Sequence, residues 1–313
     1  MRVIFLGTPE FAVPSLQALT AGGCQVCAVF TQPDRPSGRG QRPAPPAVKA
    51  FALGAGIPVY QPEKIRNPEN RPLVESLAAD FIVVTAYGQI LPAWLLQLPP
   101  YGCVNVHASI LPRYRGAAPV AWAIIRGEVL TGVTTMLMDE QLDTGPMLLK
   151  REFAIGPDMT AGELSEILAK AGAELLLPTL NGLRNRTLQP VPQDDRLASF
   201  APRITKEMAR IDWNQDAPGL HNFIRGLNPQ PLAFTEFRGQ RLQVLKSSAA
   251  GGRPAGERPP GILLEVTGRG ISVTCGESGV LELLEVQPEG KRRMPAREFA
   301  NGARIRPGDR IFA

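Results

Sequence analysis

Phe81-Ile82-Val83-Val84-Thr85 is an apolar run with no alternation between water-loving and water-avoiding positions. A strand with one wet face alternates, so a continuous run of this length indicates a strand covered on both sides. Val3-Ile4-Phe5-Leu6, Gln25 to Phe30 and Cys103-Val104-Asn105-Val106 repeat the signature, and longer helix-like stretches separate them. Doubly buried strands alternating with helices predict a doubly wound, mostly parallel α/β sheet. Trp122 to Arg126 reads as a helix, Thr131 to Met138 and Pro146 to Phe153 as two further strands. A long helix is expected from Ala161 to about Leu183, with Leu164, Ile167, Leu168, Leu175 and Leu176 at helical spacing.

From Arg184 to Pro202 the chain is polar, carries Pro190, Pro192 and Pro202, and sustains no apolar period, which predicts an interdomain linker over 184–203. A helix follows near Ala217 to Leu227. Leu232 to Phe237, Arg241 to Leu245, Ile262 to Val266, Ile271 to Thr274 and Val280 to Val286 then read as short strands between Gly- and Pro-rich turns, a pattern that suggests a small barrel over 204–313. The Gly-, Pro- and Arg-rich stretch Ser247 to Gly261 is expected to be a mobile loop.

The 313 residues are 44% hydrophobic and 20% charged, enough apolar material for two domains. The formal charge of +5 is unevenly placed: Ala201 to Ala313 hold 17 Lys+Arg against 12 Asp+Glu, and the first 200 residues balance. Such an excess fits either a polyanionic partner or a solvated basic surface. The four cysteines, Cys24, Cys27, Cys103 and Cys275, lack the paired spacing of a zinc site, so reduced buried thiols and no metal are expected. The chain opens on Val3 to Leu6 with no leader or membrane span expected, which predicts a cytoplasmic protein without a membrane partner.

Histidine occurs twice. His107 follows Asn105 by two positions, so both side chains project from one face at the carboxyl end of a sheet strand, where open α/β proteins bind ligands. The same pair could also satisfy strand-end backbone. Asp143, in Leu142-Asp143-Thr144-Gly145-Pro146, is the carboxylate of interest, and a plain turn residue is its competing reading. His221, on a helix of the second half, reads as structural. Gly7-Thr8-Pro9 follows the first strand but lacks the glycine spacing of a dinucleotide fingerprint, which excludes nicotinamide binding there.

The stretch Asn105-Val106-His107-Ala108-Ser109-Ile110-Leu111-Pro112-Arg113-Tyr114-Arg115-Gly116, followed by Thr131 to Thr134 and by Met138 to Pro146, resembles the folate-dependent formyltransferases. The resemblance covers nearly the whole chain. It implies a Rossmann-like formyltransferase domain at 1–183, an OB-like barrel at 204–313, and a catalytic centre of Asn105, His107 and Asp143. It further implies 10-formyltetrahydrofolate as formyl donor, held by Ser109, Ile110, Leu111 and Pro112 and by the turn Tyr87, Gly88 and Gln89. Phe5 to Ala12, Thr31 to Pro36, Gly38-Arg39-Gly40 and Ile211-Asp212-Trp213 are similar to the branch whose acceptor amine is carried by initiator methionyl-tRNA. That branch implies a tRNA contact at Arg39 in particular; Arg42 of the same basic loop and Lys206, Arg210 and Lys291 to Arg293 of the basic second domain are the further candidates, and a monomeric enzyme is expected.

Two departures stand out. Ile110 replaces the more usual leucine, and Asn228-Pro229-Gln230-Pro231-Leu232 stands where a Trp and a Gly are commoner. A formyltransferase of small amines, such as an amino sugar or glycinamide ribonucleotide, would share the same centre with a different second domain. An RNA-binding module with a dead α/β half is the rival outside enzymology, and the joint presence of Asn105, His107 and Asp143 argues against it.

Overall fold

The doubly apolar runs form the middle of a seven-stranded sheet in the computed structural model, which describes residues 1–37, 42–249, 258–276 and 279–309. In chain order the first unit begins with β1 (Arg2–Gly7), α1 (Val13–Ala21) and β2 (Gln25–Phe30). A separate small hairpin of β3 (Arg35–Ser37) and β4 (Arg42–Ala44) comes next. Then follow α2 (Ala47–Gly54), β5 (Val59–Tyr60), α3 (Arg71–Ser76), β6 (Phe81–Thr85), α4 (Ala93–Leu96) and β7 (Cys103–His107). After α5 (Pro119–Ile125) come β8 (Leu130–Leu137), β9 (Met147–Ala154) and the 24-residue helix α6 (Ala161–Arg184).

Strand order in this sheet is β5-β2-β1-β6-β7-β8-β9. Pairings from β5 to β7 are parallel, whereas β8 runs antiparallel to β7. The chain moves outward from β1 through β2 to β5 and returns at β6 beside β1, so the sheet changes winding direction between β1 and β6. A crevice opens at the carboxyl ends of strands at such a point.

Alternate residues of each strand feed two different cores. Val3, Phe5, Val29, Val83, Val104 and Val106 pack on one face with Leu16 and Leu19 of α1 and Leu176 and Leu180 of α6. Ile4, Leu6, Phe30, Ile82, Val84 and Cys103 pack on the other with Val74 and Leu95. Burying one such aliphatic or aromatic side chain contributes about 1.5–3 kcal/mol, which is why these strands carry so little polarity. Gly172 lets α6 come down on β7: a Cβ there would stand 2.5 Å from Val106 Cγ1.

The second unit contains α7 (Ala217–Gly226), β10 (Ala233–Phe237), β11 (Gln240–Ser248), β12 (Leu263–Val266), β13 (Ile271–Cys275), β14 (Gly279–Pro288), β15 (Met294–Pro295) and α8 (Ala296–Ala303). Its strands form a six-stranded antiparallel sheet in the order β10-β11-β14-β13-β12, with β15 on β14. Among the described residues no pairing joins β10 to β12, so the pairings show an antiparallel β domain without drawing the closure of a barrel. Its own core includes Trp213, Leu220, Ile224, Leu242, Val273, Leu281 and Val286.

The two units interleave along the chain. The first holds Met1–Gly116, Thr131–Phe153 and Ser165–Ala201, and the second Ala117–Leu130, Ala154–Leu164 and Pro202–Ala313. The helix expected at Trp122 to Arg126 is α5, and its neighbour is α7 of the second unit. Of the expected loop at 247–261, Ser247 and Ser248 belong to β11 and residues 250–257 lie outside the described residues. Cys24, Cys103 and Cys275 are buried, Cys27 is half-buried, and all four are free thiols. Among the described residues no helix is long and apolar enough to cross a membrane.

Candidate active site

Cys103, Asn105 and His107 share one face of β7, and Val104 and Val106 fill the core on the other. Cys103 is covered by that face's own core, in which burial pushes its thiol up to about 12. Two and four residues further on, Asn105 and His107 keep 8% and 5% of their surface exposed. Among the described residues the Asn105 carboxamide has no hydrogen-bond partner, so its two N–H donors are uncommitted.

His107 is held from two sides. Its Nε2 lies 2.9 Å from the carbonyl oxygen of Tyr114. A carbonyl only accepts, so Nε2 carries the hydrogen and donates it. Nδ1 faces Asp143 Oδ2 at 3.7 Å, beyond hydrogen-bond range but close for an ion pair. One nitrogen is spent on the backbone, and the other belongs to the space it shares with Asp143.

The competing reading of Asp143, a turn residue bonded to its own backbone, is not what forms. Asp143 Oδ2 accepts a 2.8 Å hydrogen bond from the Gly116 amide, 27 residues away in sequence. Asp143 itself adopts φ +54°, a left-handed conformation that Asp tolerates better than bulkier residues. The turn closes tightly after it, because a Cβ on Gly145 would meet the Leu137 carbonyl oxygen at 1.9 Å.

The loop after β7 is pinned by Thr134 of β8. Thr134 Oγ1 donates to Ser109 O at 2.7 Å and accepts from Leu111 N at 3.3 Å. Ser109 is itself fully buried, and its hydroxyl donates to Arg113 O at 2.6 Å. Leu111 is buried as well, whereas Ile110 and Pro112 are half-buried. The side chains expected at the donor-binding turn are mostly in use elsewhere. The Tyr87 ring is buried in a core, and its carbonyl accepts from Thr8 Oγ1 and Gln32 Nε2. Gln89 accepts from Ile65 N and donates to Pro62 O and Glu63 O, tying down 62–65. Gly88, exposed at φ +84°, offers backbone alone.

Sequence reasoning missed what holds this centre in place. The segment expected to be a linker is bonded along 193–201 to the site loops. Gln193 donates to Asp143 O and Gly145 O, both at 2.8 Å, and accepts from Arg115 Nε at 3.0 Å. Arg115, 96% buried, pairs with Asp195 at 2.7 Å. Ser199 accepts from Tyr114 N through its hydroxyl and from Arg115 N through its carbonyl, and Ala201 N donates to Arg115 O. Absence of apolar periodicity marked the segment as irregular, but no local signal shows that its polar groups are committed.

In the second unit His221 is bonded at both ring nitrogens, to Ser247 Oγ and to Pro157 O, as a structural histidine should be. Lys206 is exposed and lines a groove of about 1010 Å³ with Arg203, Arg241, Gln243, Gln287 and Glu289. The Arg241 guanidinium lies 3.7 Å from the centre of the Phe234 ring, and its buried Nε has no hydrogen-bond partner among the described residues. Arg39 falls outside the described residues, and Arg42 is described only as backbone of β4.

A strand-end Asn and His with a distant Asp, carried on this sheet, can be compared with known proteins. The family described as formyl transferase matches residues 1–180, and its C-terminal domain matches residues 203–304. The chain is 50% identical over 311 residues to the methionyl-tRNA formyltransferase of Solibacter usitatus, covering 99% of this chain and 98% of the relative. To that of Trichlorobacter lovleyi it is 51% identical over 301 residues, covering 96% and 94%. Among solved structures, methionyl-tRNA formyltransferase from Clostridium thermocellum shares the fold at TM-score 0.56 and 18% identity, covering 81% of this chain and 95% of that one. WlaRD, a sugar 3N-formyl transferase, does so at TM-score 0.67 and 18% identity, covering 93% and 99%. Matched along both halves and nearly end to end, the chain belongs to the formyl transferase family.

Proposed function

We propose that this enzyme moves the formyl group of 10-formyltetrahydrofolate to the α-amino group of methionine on initiator methionyl-tRNA in the cytoplasm, giving N-formylmethionyl-tRNA for translation initiation. The observation that carries the reading is the convergence of Asn105, His107 and Asp143 at the carboxyl end of β7. Full-length relatives at about half identity supply the substrate class.

The donor supplies a formyl carbon on nitrogen, open to attack by an amine. The uncommitted Asn105 carboxamide donates to the formyl oxygen as negative charge grows there, and losing such a donor costs roughly 3–4 kcal/mol of barrier. His107, with its hydrogen fixed on Nε2 by Tyr114, presents the Nδ1 lone pair as general base to the attacking amine. Asp143 stabilises the imidazolium that results, across the 3.7 Å that separates the two groups, and the proton then passes to the folate nitrogen as its bond to the formyl carbon breaks and tetrahydrofolate leaves. The Tyr114 bond favours His107 as acceptor and Asp143 as its electrostatic partner.

Donor binding is assigned to the loop Ser109 to Pro112 and the turn Tyr87 to Gln89. With Ser109 and Gln89 internally bonded, the fit rests on backbone groups and on Ile110 and Pro112. Residues 1–183 carry the chemistry and 204–313 the grip on tRNA, through Lys206 and the groove that it shares with Arg203 and Arg241. Arg39 and Arg42 complete the proposed tRNA contacts.

The test supplies labelled formyl donor with charged initiator tRNA, charged elongator tRNA and small amines, including an amino sugar and glycinamide ribonucleotide. Label on initiator methionyl-tRNA supports the reading. Label on a small amine alone overturns it.

A further inference from the structure

We propose that Gln193 is a positioning residue for the reaction, holding Asp143 against His107 from a segment that sequence reading treats as connecting chain. The inference rests on the role proposed above for Asp143.

Gln193 has one acceptor and two donors at its amide, and all three are used on the two loops that define Asp143. Nε2 donates to Asp143 O and to Gly145 O, each at 2.8 Å, and Oε1 accepts from Arg115 Nε at 3.0 Å. Two carbonyls on one side and a guanidinium N–H on the other admit a single orientation of the amide, because the reverse would set oxygen against oxygen and N–H against N–H.

The consequence for the carboxylate is direct. Arg115 precedes Gly116, whose amide is the 2.8 Å donor to Asp143 Oδ2. Gln193 thus fixes the backbone of Asp143 at one end and, through Arg115, the donor that orients its carboxylate at the other. Asp143 is at φ +54°, a conformation that a non-glycine residue keeps when its surroundings impose it. Arg115 is anchored in turn by Asp195 at 2.7 Å and by the backbone bonds to Ser199 and Ala201. The hydrogen bonds run from Asp195 through Arg115 and Gln193 to Asp143, and every member lies in the first unit.

Two variants separate this role from simple packing. Gln193→Glu keeps the volume and the acceptor for Arg115 but turns a carboxylate oxygen towards the carbonyls of Asp143 and Gly145. Gln193→Met keeps the volume and removes every hydrogen bond. Misplacing a reacting group by about 1 Å costs on the order of a hundredfold in rate. Both variants are therefore expected to lower kcat by about 10- to 100-fold, with KM for charged tRNA and for the formyl donor within about twofold of the parent. Amide exchange at Gly116 should quicken in both, because its acceptor is no longer held.

Parent kcat with unchanged Gly116 exchange in Gln193→Met overturns the proposal. So does a rise in KM at constant kcat in either variant. Should Gln193→Glu fail to fold, Gln193→Met decides the question. Should the parent enzyme itself fail to formylate methionyl-tRNA, the functional reading falls. Gly116 exchange then reports on the clamp without it.

Discussion

With Nε2–H tied to the Tyr114 carbonyl, Nδ1 is the nitrogen through which His107 is proposed to act on substrate. His107→Ala removes that base and is expected to lower kcat by about a hundredfold to ten-thousandfold, the usual range for a positioned proton acceptor. Asn105→Ala should lower kcat by about a hundredfold to a thousandfold with little change in KM, since the carboxamide is proposed to act on charge that develops in the transition state. Single-turnover formylation of charged tRNA measures both. The two residues were legible because a strand has a period of two, and their shared face follows from spacing alone. Asp143 was a matter of resemblance, for its decisive bond spans 27 residues. Gln193 was not legible at all. It reaches Asp143 across 50 residues, and nothing in Pro192-Gln193-Asp194 distinguishes a committed amide from a solvated one.

At the scale of the element, β7 is fixed by what presses on it. Gly172→Leu in α6 drives a side chain into Val106, whose Cγ1 is already 2.5 Å from where a Cβ would sit. Overpacking of this kind costs about 1–3 kcal/mol or more, and the melting temperature should fall with activity. Cys103 of the same strand gives a gentler probe. Its thiol is pushed up to about 12 from an ordinary 9.0 by burial. Because the folded pKa is the higher one, the native state holds its proton where the unfolded chain has lost it. The stability this thiol contributes is complete below pH 9.0 and declines as pH rises towards 12. Iodoacetamide at pH 8 should accordingly label Cys27 well before Cys103, as mass spectrometry would show. The run Phe81 to Thr85 disclosed its element and its burial. The direction of β8 stayed hidden, because hydrophobicity carries no sign along a strand. The assignment of α5 stayed hidden for a related reason, since Val120, Ala123 and Ile124 are apolar towards either core.

Across the whole molecule the sequence shows a charge excess after Ala201, and three of the cations share a groove with the carboxylates of Glu207 and Glu289. Lys206, Arg203 and Arg241 line one groove of the second unit. Lys206→Ala should weaken tRNA binding nearly equally for initiator and elongator species and reduce the slope of log affinity against log salt by about one, while leaving the formyl donor's KM alone. Filter binding across a salt series reads this, and an unchanged slope removes Lys206 from the interface. The unit boundaries were less legible than the charge. Residues 117–130 and 154–164 pack with the second unit although they precede it in sequence, and composition records no such return.

In the proposed division of labour Asn105, His107 and Asp143 perform formyl transfer and do not serve to grip the acceptor. Single-turnover transfer of labelled formyl to initiator methionyl-tRNA by Asp143→Asn, with tRNA affinity measured on the same preparation, tests it most directly. The rate is expected to fall by at least about a hundredfold, with the dissociation constant for tRNA within about twofold of the parent. A variant that transfers formyl at the parent rate, or that loses tRNA affinity in step with rate, contradicts it.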